Sequence, residues 1–187
     1  MGRDSGFIAC YASLAGSNVD FVLIPEVPFA LDGARGLLES LRYRLAKHKS
    51  AVIVLAEGAG QELLKADGAT DASGNKKLGD IGLYLKDRIN TFFKERKIEC
   101  NLKYIDPSYM IRSVPANAAD NFYCSQLAQH AVHAAMAGKT GMLAGRWHGA
   151  FVHIPIPLAT QGRRKVDPQS ELWRAVLEST GQPTRLA

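Results

Sequence analysis

Two short, unbroken apolar runs, Phe21-Val22-Leu23-Ile24 and Ala51-Val52-Ile53-Val54-Leu55, restrict the fold of this 187-residue chain more than any other feature. A run that is apolar at every position, rather than at every second one, suits a strand buried on both faces. Such strands belong to parallel sheets covered by helices. Helical patterns separate the runs, so the predicted class is α/β with a parallel sheet. Leu37, Leu38, Leu41 and Leu45 share one helical face. Gly79-Asp80 opens a second helix, on which Ile81, Leu85, Ile89, Phe92 and Phe93 recur at helical spacing and read as a core stripe.

The remaining elements are less sharply marked. Leu102 to Ile105 is predicted as a short strand closed by Asp106-Pro107, and residues 66–77 as a polar surface loop. An Ala-rich helix is expected from Ala119 or Asp120 to Ala137, with Gly138 as its stop. Met142 to Trp147 and Phe151 to Ile156 read as strands joined by His148-Gly149. A helix near Glu171 to Glu178 closes the fold, and the last residues form a tail. Asp4 or Ser5 is placed to cap a helix through Ala15. No strand precedes that helix, a beginning that suits a fragment.

Composition narrows the functional classes. No apolar run approaches the roughly 20 residues of a membrane helix, and the first residues resemble neither a secretory leader nor a transit peptide. The expected location is the cytoplasm. The net charge of +5 is scattered, and its densest cluster, Arg163-Arg164-Lys165, reads as a solvated loop rather than a nucleic-acid stripe. Cys10, Cys100 and Cys124 are too widely spaced for a disulfide framework or a zinc knuckle and are expected to be plain thiols. His130 and His133 lie three apart on one helix without an acidic or cysteine partner nearby, so they read as packing residues rather than metal ligands. Trp147 and Trp173 are likewise assigned to packing.

Four segments carry groups suited to anions and hydroxyls at strand ends or helix starts, where ligands of open α/β sheets sit. In Met1-Gly2-Arg3-Asp4-Ser5-Gly6, Arg3 supplies a fork of donors and the helix start adds positive potential. Pro25-Glu26-Val27-Pro28-Phe29 is a rigid strand end. In Ala56-Glu57-Gly58-Ala59-Gly60 a carboxylate follows a buried strand and glycines open the backbone. Spacing alone leaves Glu57 as either a sugar-hydroxyl acceptor or a helix cap. The fourth segment, Asp106 to Ser113, places Tyr109 and Arg112 at a strand end, where Arg112 could hold a phosphate bidentately.

In order and spacing, MGRDSGFIA, PEVPF, VIVLAEGAG and IDPSYMIRSVPANAADNFYC resemble the C-terminal part of 6-phosphofructokinases over nearly the whole chain. The PSYMIR form followed by Asn117 is similar to the branch containing plant and trypanosomatid ATP-dependent enzymes. The resemblance implies the C-terminal portion of a three-layer, parallel-sheet phosphofructokinase fold. Residues 1–116 would form the fructose 6-phosphate domain, and residues 117–187 a segment packing on a nucleotide-binding domain. It implies that Met1, Gly2 and Arg3 hold fructose 6-phosphate, with Arg3 also near the transferred phosphoryl group. Glu57 would bind sugar hydroxyls, while Tyr109, Met110, Ile111 and Arg112 hold the sugar and its 6-phosphate. Glu26 matches a position near the effector site of bacterial relatives and is not assigned to substrate.

The implied reaction is glycolytic phosphoryl transfer from ATP, with Mg²⁺, to the sugar 1-hydroxyl; pyrophosphate is the alternative donor. The resemblance also implies a homo-oligomer: in the family's tetramers one phosphate-binding arginine comes from a neighbouring subunit, so some of these site residues would act across an interface. The family's Thr-Ile-Asp-Asn-Asp and Gly-Gly-Asp-Gly strings do not occur in this chain. Asp80 and Asp87, in a helix, are poor substitutes, so the chain alone is expected to be inactive. The alternative is a non-catalytic sugar-phosphate-binding module. An apolar face on the long helix, including Phe122, Leu127 and Val132, is expected to lie uncovered.

Overall fold

The computed structural model describes residues 4–64 and 78–187. The loop expected at 66–77 and the residues Met1, Gly2 and Arg3 lie outside the described residues. The chain divides into two compact units. The first comprises residues 1–104 and 164–187, and the second residues 105–163.

In the first unit, helix α1 (Phe7–Gly16) leads to strand β1 (Phe21–Leu23), helix α2 (Leu37–His48) and strand β2 (Ile53–Leu55). A 3₁₀ turn (Gln61–Leu63) and helix α3 (Ile81–Glu95) follow. Strands β1 and β2 pair in parallel, with Phe21 opposite Ile53 and Leu23 opposite Leu55. The period of two along β1 explains its continuous apolarity. Phe21 and Leu23 join a core with Leu37, Leu38 and Leu41 of α2 and Ile81, Leu85, Ile89, Phe92 and Phe93 of α3. Val22 and Ile24 join the opposite core with Ala9 and Cys10 of α1. β2 departs from the expectation of full burial: Ile53, Val54 and Leu55 are half-buried, and Val52 is exposed.

Three local expectations are corrected. Leu102 to Ile105 forms no strand. Neither Asp4 nor Ser5 caps α1, whose N-cap is Gly6 with no side-chain cap hydrogen bond. The last residues are not a loose tail. Trp173 and Val176 of the C-terminal helix, Glu171–Thr180, complete the core around Val22 and Ile24. Leu186 packs into the core formed by α2 and α3, and its carbonyl accepts the Ala30 N–H at 2.8 Å. α3 begins as expected, with the Asp80 carboxylate accepting the Leu83 N–H at 2.9 Å.

The second unit holds helix α4 (Ser108–Ser113), helix α5 (Ala118–Met136) and strands β3 (Met142–Trp147) and β4 (Ala150–Pro155). Helix α6 (Ile156–Ala159) follows, which makes the Glu171–Thr180 helix α7. Asn117 caps α5 by accepting the Asp120 N–H at 2.8 Å. β3 and β4 form an antiparallel hairpin whose two turn residues, His148 and Gly149, have φ of 45° and 86°. Positive φ at both positions matches the turn twist to that of the strands. The Phe151 ring stacks on His130 at 4.3 Å and on Tyr123 at 6.2 Å, fixing the hairpin against one face of α5. Trp173 is buried, but Trp147 is exposed at the hairpin tip, against the packing role expected of it.

Candidate functional site

Parallel pairing places the carboxyl ends of β1 and β2 on one rim, and each strand runs directly into one of the motif turns. After β1 comes Ile24-Pro25-Glu26, and after β2 comes Ala56-Glu57. The N-terminus of α1 reaches the same rim, because the Gly6 N–H donates to Glu26 Oε1 and Oε2 at 3.0 and 3.1 Å. Oε1 also accepts the Val166 N–H at 2.9 Å. Three of the four segments singled out in the sequence therefore meet, or enter, at one edge of the sheet.

The turns interlock physically. Gly60 has φ of +61°, and a Cβ there would stand 2.8 Å from Phe29 Cζ and 3.3 Å from Ile81 Cδ1. The last glycine of Ala56–Gly60 is thus demanded by its backbone conformation and by the ring of Pro25–Phe29, rather than by ligand approach. Gly6 is pressed just as hard: its Cβ would fall 2.4 Å from Ile24 Cγ2.

Glu57 lies exposed on this rim. The following 3₁₀ turn is capped by Gly60 without any side-chain hydrogen bond. Glu57 therefore does not cap that turn. Its backbone is steadied by Gln61, whose Nε2 donates to the Glu57 carbonyl at 2.9 Å and to the Gly79 carbonyl at 3.1 Å. Gln61 Oε1 accepts the Gly79 N–H at 3.0 Å, so one carboxamide joins the Glu57 turn to the start of α3. Sequence reading missed Gln61, since nothing in its spacing marks it. It also missed the structural role of Glu26, for which the adjacent prolines were the only sign of a fixed carboxylate.

The remaining expected contacts belong to the second unit. Tyr109, Met110, Ile111 and Arg112 lie in α4, a single helical stretch rather than a strand end. Pro107 at the N-cap and the Ile111 N–H donating to the Pro107 carbonyl at 2.8 Å explain that conformation. Met110 and Ile111 are exposed. The side chains of Tyr109 and Arg112 lie outside the described residues, as do Met1, Gly2 and Arg3.

Among the described residues no group of three or more His, Cys, Asp or Glu could hold a metal ion. Asp80 serves as a helix cap. Among the described residues no helix is long and apolar enough to cross a membrane. The three cysteines are free. Burial, then the nearby Glu26 charge, pushes the Cys10 thiol up to about 11, and burial also raises Cys100.

A family model described as phosphofructokinase matches residues 1–135. An ATP-dependent 6-phosphofructokinase of Borreliella burgdorferi is 53% identical over 190 residues, covering 98% of this chain and 42% of that protein. ATP-dependent 6-phosphofructokinase 7 of Arabidopsis thaliana is 52% identical, covering 100% of this chain and 39% of its own length. An ATP-dependent 6-phosphofructokinase of Trypanosoma brucei brucei is 45% identical with the same coverage, 100% and 39%. The chain thus spans about two fifths of the length of these curated relatives.

Proposed function

The chain belongs to the phosphofructokinase family, and on that premise we propose that it supplies the fructose 6-phosphate site of an ATP-dependent 6-phosphofructokinase. One observation carries the reading. Parallel pairing of β1 and β2 sets the exposed Glu57 carboxylate on the rim that the N-terminus of α1 also reaches. A carboxylate there accepts hydrogen bonds from sugar hydroxyls, and a helix start adds positive potential for a phosphate. Arg3 is assigned to the sugar phosphate and to charge developing on the transferred phosphoryl group. Tyr109, Met110, Ile111 and Arg112 are assigned to the sugar and its 6-phosphate.

ATP is favoured over pyrophosphate because the three relatives described above are named as ATP-dependent enzymes. Mg²⁺ would enter with ATP and is assigned to parts of the enzyme other than the residues described here. The catalytic base is assigned there too, since the family's aspartate motif does not occur in this sequence. On α5, Phe122 is 67% and Val132 59% exposed, which supports a further part of the enzyme covering this face.

Isothermal titration of the chain with fructose 6-phosphate, beside an Arg112→Ala variant, tests the reading. Saturable binding by the parent, weakened about tenfold or more in the variant, is expected from loss of a charge-assisted phosphate contact. A folded chain that binds no fructose 6-phosphate would refute it. Equal binding by parent and variant would remove Arg112 from the site.

A further inference from the structure

The Glu26 carboxylate is engaged by this protein's own backbone rather than by another side chain. We propose that Glu26 is a positioning residue for the sugar-phosphate site, acting through the N–H of Gly6 without touching the ligand. The inference rests on the function proposed above.

The first N–H groups of a helix have no partner within it, and α1 has no side chain of its own to cap them. The cap comes instead from the turn after β1, 20 residues away in sequence. Glu26 takes the Gly6 N–H on both oxygens, at 3.0 and 3.1 Å, and the Val166 N–H at 2.9 Å. A carboxylate offers about four acceptor positions, so these three contacts leave little capacity for a diffusible ligand. The negative charge also complements the positive end of α1.

The tether has no slack. Gly6 is buried, and even a methyl group on it would overlap Ile24, the residue after β1. The start of α1, the end of β1 and the segment entering α7 are therefore locked to one another through a single carboxylate. Loosening Gly6 would let the start of α1 shift from the rim, weakening the positive potential it offers a phosphate, and affinity would fall with no ligand contact removed.

Asp20 provides the matched control. It ties the other end of the strand pair, accepting the Val52 N–H at 2.7 Å and pairing with Arg44. Its loss should destabilise the same unit without disturbing the rim.

The experiment is fructose 6-phosphate titration of the parent chain, Glu26→Ala, Glu26→Gln and Asp20→Ala, with the thermal midpoint of each recorded. Glu26→Ala should weaken binding about tenfold, as expected for a lost charge-assisted hydrogen-bond pair. Glu26→Gln keeps an oxygen in the place of Oε1, where both N–H groups converge, and should restore most of the affinity. Asp20→Ala should lower the midpoint and leave affinity within about twofold. Equal weakening by Gln and Ala would overturn the proposal, since it would mean that the charge itself meets the ligand. So would a loss in Asp20→Ala matching that of Glu26→Ala, which would reduce the effect to general destabilisation. Unchanged affinity in Glu26→Ala would overturn this inference alone, whereas no binding by the folded parent would overturn the proposed function and this inference with it.

Discussion

The Gln182 carboxamide meets the backbone of Val22 as a neighbouring strand would. Its Oε1 accepts the Val22 N–H at 2.6 Å, and its Nε2 donates to the Val22 carbonyl at 3.3 Å. In a parallel pair, a residue points both backbone groups to one side and its neighbours point theirs to the other. Phe21 and Leu23 accordingly bond towards β2: the Phe21 N–H donates to the Val52 carbonyl, and the Leu23 carbonyl accepts the Ala56 N–H. Val22 faces away and is satisfied by one side chain from the residues after α7.

Replacing Gln182 with Ala should leave the Val22 N–H and carbonyl without these partners in a buried strand. The expected cost is about 1–3 kcal/mol, measured by urea denaturation. Amide exchange at Val22 should accelerate more than exchange at Phe21, whose partner is the backbone of residue 52. Equal acceleration at both would show that the contact does not act locally.

Leu186 is 6% exposed and packs in the same cluster as Phe29, Leu31 and Leu37. Truncation to Ala should destabilise the first unit by about 2–5 kcal/mol, the range for deleting a buried leucine side chain. A loss below about 0.5 kcal/mol, the size of an ordinary surface change, would place Leu186 outside the core.

Gly60→Ala combines a left-handed backbone with a Cβ 2.8 Å from Phe29. The expected penalty is about 1–3 kcal/mol from overpacking, with strain from the positive φ added. Pairing it with Phe29→Leu should recover part of the loss, and a double-mutant cycle would measure that coupling. Strict additivity would show that the two motif turns do not press on each other.

Cys10 is fully buried, and its thiol is raised from 9.0 to about 11. A thiol whose pKa is raised on folding stabilises the protein below its unfolded value, and that contribution disappears as pH rises through the folded value. Between pH 9 and about 11 the unfolded chain sheds the proton while the folded chain keeps it. Stability should fall across this window, and the Cys10→Ala variant should fall less steeply, as read by denaturation at pH 8.5, 9.5 and 10.5. Iodoacetamide at pH 8 should label the exposed Cys124 first and Cys10 last.

Much of the fold was legible because periodicity is a local property. The phase of Ile81, Leu85, Ile89, Phe92 and Phe93 fixes which side of α3 must be covered, and the unbroken run at Phe21–Ile24 requires covering layers on both faces of its strand. The cap at Asp80 and the hairpin turn at His148-Gly149 are equally local, since each depends on residues within a few positions. The four motifs established the family for the same reason, being short strings that keep their order.

Other features depended on partners distant in the chain. Leu102 to Ile105 has strand-like composition, but a strand exists only where another backbone pairs with it, and among the described residues none does. Composition could not show that Gln182 returns to Val22, 160 residues away, or that Leu186 returns to the backbone of Ala30. It could not separate Trp147 from Trp173 either, since burial belongs to the surroundings and not to the residue type. Glu26 and Glu57 show the same division within the site. The sequence alone determined that each carboxylate follows an apolar strand, and only the tertiary structure decided that Glu26 is turned onto the N–H groups of Gly6 and Val166 while Glu57 is exposed. The physical reason is that hydrogen-bond donors converge on a carboxylate through space, and sequence spacing carries no record of that convergence.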